Sequence, residues 1–151
     1  MTARQAGKTE EEKVKLSKKK LTEIIKKIDI CMMTTVAENG RLHSRPMSNN
    51  RNVDWGGDNW FFAFADSTQV QEVTANPNVN LAYALTDDIV FVSLVGKGRI
   101  VRDDAKKKKL WSDDLKRWFP DGYEDDSVVL IEVKAEHAFY WGKDGDGELK
   151  L

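Results

Sequence analysis

Asp66-Ser67-Thr68-Gln69 follows the aromatic run of residues 60–65, and that order sets a helix N-terminus at the end of an apolar strand. Asp and Ser are good N-cap residues, and the first N–H groups of a helix find no partner within it. Such a junction, with two hydroxyls added, suits an anion, and phosphate is the common occupant. Arg45, in the Arg45-Pro46-Met47 end of an earlier strand, could supply positive charge. The plainer reading is a junction that binds nothing and an arginine solvated at a sheet edge. Other chemistries have less to stand on. Two histidines, His43 and His137, and one cysteine, Cys31, show no metal-ligand spacing. Cys31 sits in Ile30-Cys31-Met32-Met33, where apolar surroundings raise a thiol pKa, opposite to a nucleophile's need. No nucleophile elbow, Walker or dinucleotide fingerprint occurs, and no side chain stands out as a catalytic acid or base. Five tryptophans ask for a reason. Trp111 and Trp118 are spaced for one helix face, and Trp141 after Phe139-Tyr140 could leave an indole at an interface for a planar ligand or a partner subunit.

The elements that must position these residues can be read from pattern. Residues 1–8 read as a disordered lead-in, and Thr9-Glu10-Glu11-Glu12 has the form of a capping box. Val14, Leu21, Ile24, Ile25 and Ile28 then give one apolar helix face, and the intervening lysines read as a solvated face rather than a nucleic-acid arm. Short strands follow at 30–36 and 41–47 around Asn39-Gly40, a strong hairpin signal. Further strands are expected at 60–65, 79–85, 89–101, 128–133 and 138–141, with a bulge or bend at Gly96-Lys97-Gly98. A short helix after Ser67 ends at Asn76-Pro77. A second, opened by Asp103-Asp104, carries Leu110, Trp111, Leu115, Trp118 and Phe119 on its apolar face and stops at Pro120-Asp121-Gly122. Its lysines 106–109 read as helix surface, and residues 143–151 as a flexible tail. Hairpins without a βαβ rhythm indicate a mainly β (α+β) chain, a small antiparallel barrel with peripheral helices.

At 151 residues with a net charge of −1, the chain suits one domain, here 9–142, and carries no global field to attract nucleic acid or membrane. With one cysteine, no apolar leader and no membrane-length apolar run, the expectation is a cytoplasmic protein.

Taken in order, these residues resemble a known family. Thr34-Thr35-Val36, residues 40–47, Trp60-Phe61-Phe62, Ser67, residues 76–81 and Gly96-Lys97-Gly98 resemble the FMN-binding split barrels of the pyridoxamine 5′-phosphate oxidase-like superfamily. Leu110-Trp111, residues 118–122 and Phe139-Tyr140-Trp141 look like its general-stress-protein branch. The resemblance spans about residues 18–142 and implies a six- to seven-stranded antiparallel split β-barrel. It further implies a homodimer with two FMN sites at the subunit interface. By that likeness Arg45, Pro46 and Met47 lie along the flavin, with the arginine at its polar edge or phosphate. Phe62 and Ala63 supply backbone contacts, Ser67, Thr68 and Gln69 hold the phosphate, and Trp118 and Trp141 of the second subunit cover the ring.

Two departures stand out. Where the family commonly has lysine, often after arginine, this chain has Gln69 and Thr68, a loss of roughly 1.5–3 kcal/mol of phosphate binding unless Lys97, Arg99 or Arg51 substitutes. The basic segment by which true pyridoxamine-phosphate oxidases grip their substrate does not follow Trp141, so vitamin B6 synthesis is not expected. The expectation is an FMN-dependent oxidoreductase, stress-related, of unknown substrate. Alternatives are a non-enzymatic flavin carrier or sensor and a cofactor-free dimeric interaction module; haem and deazaflavin occur on the same fold.

Overall fold

A computed structural model describes residues 13–49 and 55–151. The expected lead-in, the Thr9 capping box and Arg51 lie outside the described residues. The elements run α1 (Lys18–Ile25), β1 (Ile30–Val36), β2 (Leu42–Ser48), β3 (Asp58–Phe64), α2 (Thr68–Ala75) and β4 (Asn78–Leu85). A 3₁₀ turn at Thr86–Asp88 precedes β5 (Val90–Val101) and α3 (Asp104–Leu110). A second 3₁₀ turn at Asp113–Arg117 precedes β6 (Val128–Gly142) and β7 (Gly145–Lys150). No helix among the described residues is long and apolar enough to cross a membrane.

The named strands all pair antiparallel, in the order β2-β1-β4-β5-β6-β3, with β7 also on β6. Among the described residues the sheet does not close: β2 pairs only with β1 and β3 only with β6, so both keep a free edge. Pro46, which has no N–H to donate, is tolerated on β2 for that reason.

Parity along β6 explains why an apolar run of this length is needed. Val129, Ile131 and Val133 point into the main core with Leu21, Met33, Leu81 and Leu94, all at 0% exposure. Val128 and Leu130 point the other way, into a second cluster with Phe62, Leu110, Leu115 and Phe119. β3 is covered on both faces in the same way, Phe61 and Ala63 facing the first core and Phe62 the second. Fully burying one such side chain stabilises by about 1.5–3 kcal/mol.

Several elements differ from expectation. The first helix starts at Lys18, where Ser17 caps it by accepting from the Lys20 N–H. Lys13 and Val14 are drawn instead into a bridge with Asp146. The strands expected at 128–133 and 138–141 are one strand, bulged rather than broken: Val95 pairs with His137 and Gly96 with Ala135, so Glu136 is the extra residue. The bulge thus lies on β6, opposite the glycines. Gly96 is required there, since a Cβ would sit 2.3 Å from the Lys134 carbonyl oxygen. Residues 143–151 are no flexible tail, because β7 pairs along β6 from His137 to Gly142. The helix of Trp111 and Trp118 is two pieces. Trp111 leaves helical geometry at ψ 139, ending α3, and the 3₁₀ turn begins after Ser112. Lys107, read as surface, is 2% exposed and donates to the Asp125 carbonyl at 2.9 Å.

Candidate functional site

The two free edges meet at a cavity of about 420 Å³, within the size range of small-molecule sites. Pro46, Met47 and Ser48 of β2 form one wall, and Phe62, Ala63 and Phe64 of β3 the other. Ser67 and Gln69 close one end at the start of α2, while Leu115, Trp118 and Phe119 come from the turn after α3. Each wall follows from the local sequence. Edge strands leave alternate backbone N–H and C=O groups unpaired, so both walls offer polar groups between apolar side chains. At the closed end Ser67 has extended geometry (φ −70°, ψ 155°) as the N-cap of α2, yet its hydroxyl makes no capping bond. Ser67 Oγ is buried without a hydrogen-bond partner, a costly arrangement that a bound acceptor or donor would relieve. Trp118, 44% exposed, presents a broad aromatic surface at the opposite side.

Of the ten residues singled out from sequence, Pro46, Met47, Phe62, Ala63, Ser67, Gln69 and Trp118 line this cavity. Thr68, exposed, is the first residue of α2 beside them. Trp118 was expected to act on the partner's site, whereas here it lines the cavity of its own chain. Arg45 and Trp141 do not line it.

Arg45 is already engaged. Its Nη2 lies 2.9 Å from Glu72 Oε1, and its Nη1 donates to Thr35 Oγ1 at 2.8 Å and to the Met33 carbonyl at 3.3 Å. The Thr35 hydroxyl in turn donates a hydrogen bond to Glu72 Oε1 at 2.6 Å, and His43 Nδ1 is 3.4 Å from that oxygen. The Thr35 hydroxyl, and then the Arg45 guanidinium, hold the Glu72 carboxyl below its ordinary pKa against the opposing effect of burial. The side chains of Arg45 and Glu72 are only 15% and 11% exposed. The proposed replacement cations lie elsewhere: Lys97 bonds Asn78, and Arg99 Nε pairs with Glu132 at 2.5 Å. Among the described residues, no charged side chain lines the cavity. Cys31 is buried and its thiol is pushed up to about 12 by that burial, so it is inert.

Sequence reasoning missed Thr35 and Glu72. The Asn39-Gly40 hairpin fixes a register in which Thr35 faces His43 and Met33 faces Arg45, which puts a hydroxyl beside the guanidinium. Glu72, between Val70 and Val73 of the short helix, had no such signal.

Trp141 lies on the outer face of the sheet. Cross-strand partners share a face, and the register carries that face from Met32 through Ala82, Ser93 and Phe139. Ile30 and Met32 on it are 44% and 41% exposed, and His137, Phe139 and Trp141 form a stacked row at its far side.

A family model described as pyridoxamine 5′-phosphate oxidase like matches residues 17–151. The chain belongs to the pyridoxamine 5′-phosphate oxidase-like family. Solved structures of that fold agree. A protein related to general stress protein 26 from Clostridium acetobutylicum superposes with a TM-score of 0.76 at 22% identity, over 87% of this chain and 92% of that one. General stress protein 26 from Bacillus anthracis str. Sterne gives 0.74 at 26%, over 88% and 97%. The general stress FMN/FAD binding protein from Xanthomonas citri gives 0.71 at 27%, over 82% and 86%. These neighbours give the fold as a split barrel and carry the general-stress name that the resemblance anticipated. No curated protein sequence matches.

Proposed function

We propose that the cavity between β2 and β3 binds a flavin such as FMN, and that the protein is a stress-related flavin-dependent oxidoreductase. The carrying observation is the unpartnered Ser67 hydroxyl, buried at the cavity end beside the first turn of α2. A phosphate or ribityl oxygen there would satisfy it, together with the N–H groups of Thr68 and Gln69. Apolar walls with free edge amides suit a planar ring whose rim bears donors and acceptors. The relative from Xanthomonas citri is named an FMN/FAD binding protein, which supports the same ligand class.

In this reading Phe62, Ala63, Pro46 and Met47 hold the ring, and Trp118 shields it from water. The flavin, when bound, supplies the redox chemistry. A second copy docked on the outer sheet face would complete the site. Ile30 belongs both to that face and to the cavity rim, and in this reading Trp141 on the same face would act on a neighbouring copy. An obligate dimer of this kind buries roughly 2,000 Å² or more. Sedimentation as a 17.2 kDa monomer at micromolar concentration would refute the two-subunit site.

A non-enzymatic flavin carrier is the second reading, favoured by a wall on which, among the described residues, no Asp, Glu, His, Lys or Cys stands to move a proton. The absorbance spectrum of the purified protein, before and after denaturation, tests the ligand. A flavin spectrum with released FMN is expected; colourless protein that takes up no added flavin overturns both readings, and a haem or deazaflavin spectrum replaces the ligand. Reduction of bound flavin by NAD(P)H and its reoxidation by a substrate then separates enzyme from carrier.

A further inference from the structure

Arg45 is one residue from the cavity wall at Pro46, and Glu72 is one helical turn from the wall at Gln69. Between them lies an ion pair at 2.9 Å, with Thr35 donating to the same carboxylate oxygen that receives the guanidinium. Thr35 is fully buried, so this donation is fixed in place by the β1 backbone. Among the described residues, the other titratable group against Glu72 is His43, half exposed at 3.4 Å. Among the described residues, the cation next to the cavity wall in the chain is thus paired with a carboxylate rather than left for a ligand.

We infer that Glu72 is a positioning residue that withholds Arg45 from the cavity, so that the site selects the flavin ring and ribityl chain and gains little from a terminal phosphate. The inference rests on the flavin reading of the cavity and adds to it which part of the ligand is recognised. A phosphate dianion would otherwise draw the guanidinium away, since a bidentate arginine contact is among the stronger ones for phosphate. With Arg45 held, the phosphate meets the partial charge of the α2 N-terminus, the Ser67 hydroxyl and the neutral Gln69 amide. Replacing Glu72 by glutamine keeps an acceptor for Thr35 while removing the charge that holds the guanidinium.

The test compares FMN with riboflavin, which differ only in the phosphate. The full-length protein, freed of bound flavin by dialysis, is titrated with each at low and high salt, as wild type and as Glu72→Gln. For wild type we expect dissociation constants within about threefold of each other and nearly the same salt dependence. In Glu72→Gln, FMN should bind on the order of tenfold tighter at low salt while riboflavin is unchanged, and Arg45→Met in that background should abolish the gain. A purely structural Glu72 would move both ligands together. Wild type that prefers FMN by tenfold or more, with the preference collapsing in salt, overturns the inference from the unmodified protein alone. So does a folded Glu72→Gln with an unchanged ratio. Wild type that binds neither flavin removes the flavin reading itself, a different result from binding both alike.

Discussion

Replacing Arg45 by alanine removes three hydrogen bonds and leaves a carboxylate in a mostly closed site. The bond to Glu72 is charge-assisted and of good length, contributing about 1.5–3 kcal/mol, and the bond to Thr35 adds about 0.5–1.5 kcal/mol. The 3.3 Å contact to Met33 is too long to add much. Breaking a fully buried pair costs about 3–5 kcal/mol because one charge is stranded. Here Glu72 keeps the Thr35 hydroxyl and is 11% exposed, so the lower end applies, about 3 kcal/mol. For a chain of this length, that lowers Tm by about 6–12 °C. Arg45, read from sequence as a strand-end residue, sits at the middle of the edge strand β2 and therefore matters to the fold. The pH dependence gives a second check. Glu72 has a lowered pKa in the folded protein, so its stabilisation is present above the unfolded value of about 4.3 and is lost as pH falls through the folded value. Urea unfolding at pH 7 and near pH 4 should show the gap between wild type and Arg45→Ala narrowing on acidification. A Tm change under about 2 °C at pH 7, or a gap that holds constant or widens in acid, would refute the reasoning.

Gln69→Lys should tighten FMN binding on the order of tenfold at low salt, with the gain shrinking at high salt and riboflavin unaffected; isothermal titration checks it. Trp118→Ala should weaken flavin binding by about 1–3 kcal/mol with little change in Tm, because the ring is 44% exposed; unchanged affinity would place the flavin elsewhere. Lys107→Met keeps the apolar stem but removes the ammonium donation to the Asp125 carbonyl, which retains the Val128 N–H at 3.0 Å, and urea unfolding should show a loss on the order of 1 kcal/mol.

The site was legible in sequence where its chemistry is local. Asp66-Ser67 marks the start of α2 through cap preference alone, and the apolar run of β3 marks a strand whatever surrounds it. The strand carrying Arg-Pro-Met was legible by the same local rules, although Arg45 lies at its middle rather than its end. What escaped depends on distant chain segments. Glu72 is an unremarkable helix residue until β1 and β2 bring Thr35 and Arg45 to it. β7 looks like a frayed tail because Gly and Asp disfavour strands, yet β6 offers it a template and pairing outweighs propensity. The single long β6 was divided in reading because the bulge at Glu136 interrupts its alternation, and that bulge answers a glycine forty residues earlier.

The bridge between Lys13 and Asp146 has a kinetic consequence. Val14 donates to the Asp146 carbonyl at 2.8 Å, and Lys20 Nζ reaches Asp144 at 2.9 Å, a contact across 124 residues of chain. Contacts of that span carry the largest loop-closure entropy, so they form after the hairpins and belong to the downhill side of the folding barrier. Loosening them should leave the refolding rate alone and speed unfolding. Gly147→Ala is the direct probe, since a Cβ there would stand 2.5 Å from the Val14 carbonyl oxygen. In stopped-flow kinetics only the unfolding arm should rise, which makes this clasp a determinant of how long the native state lasts rather than of how fast it is reached.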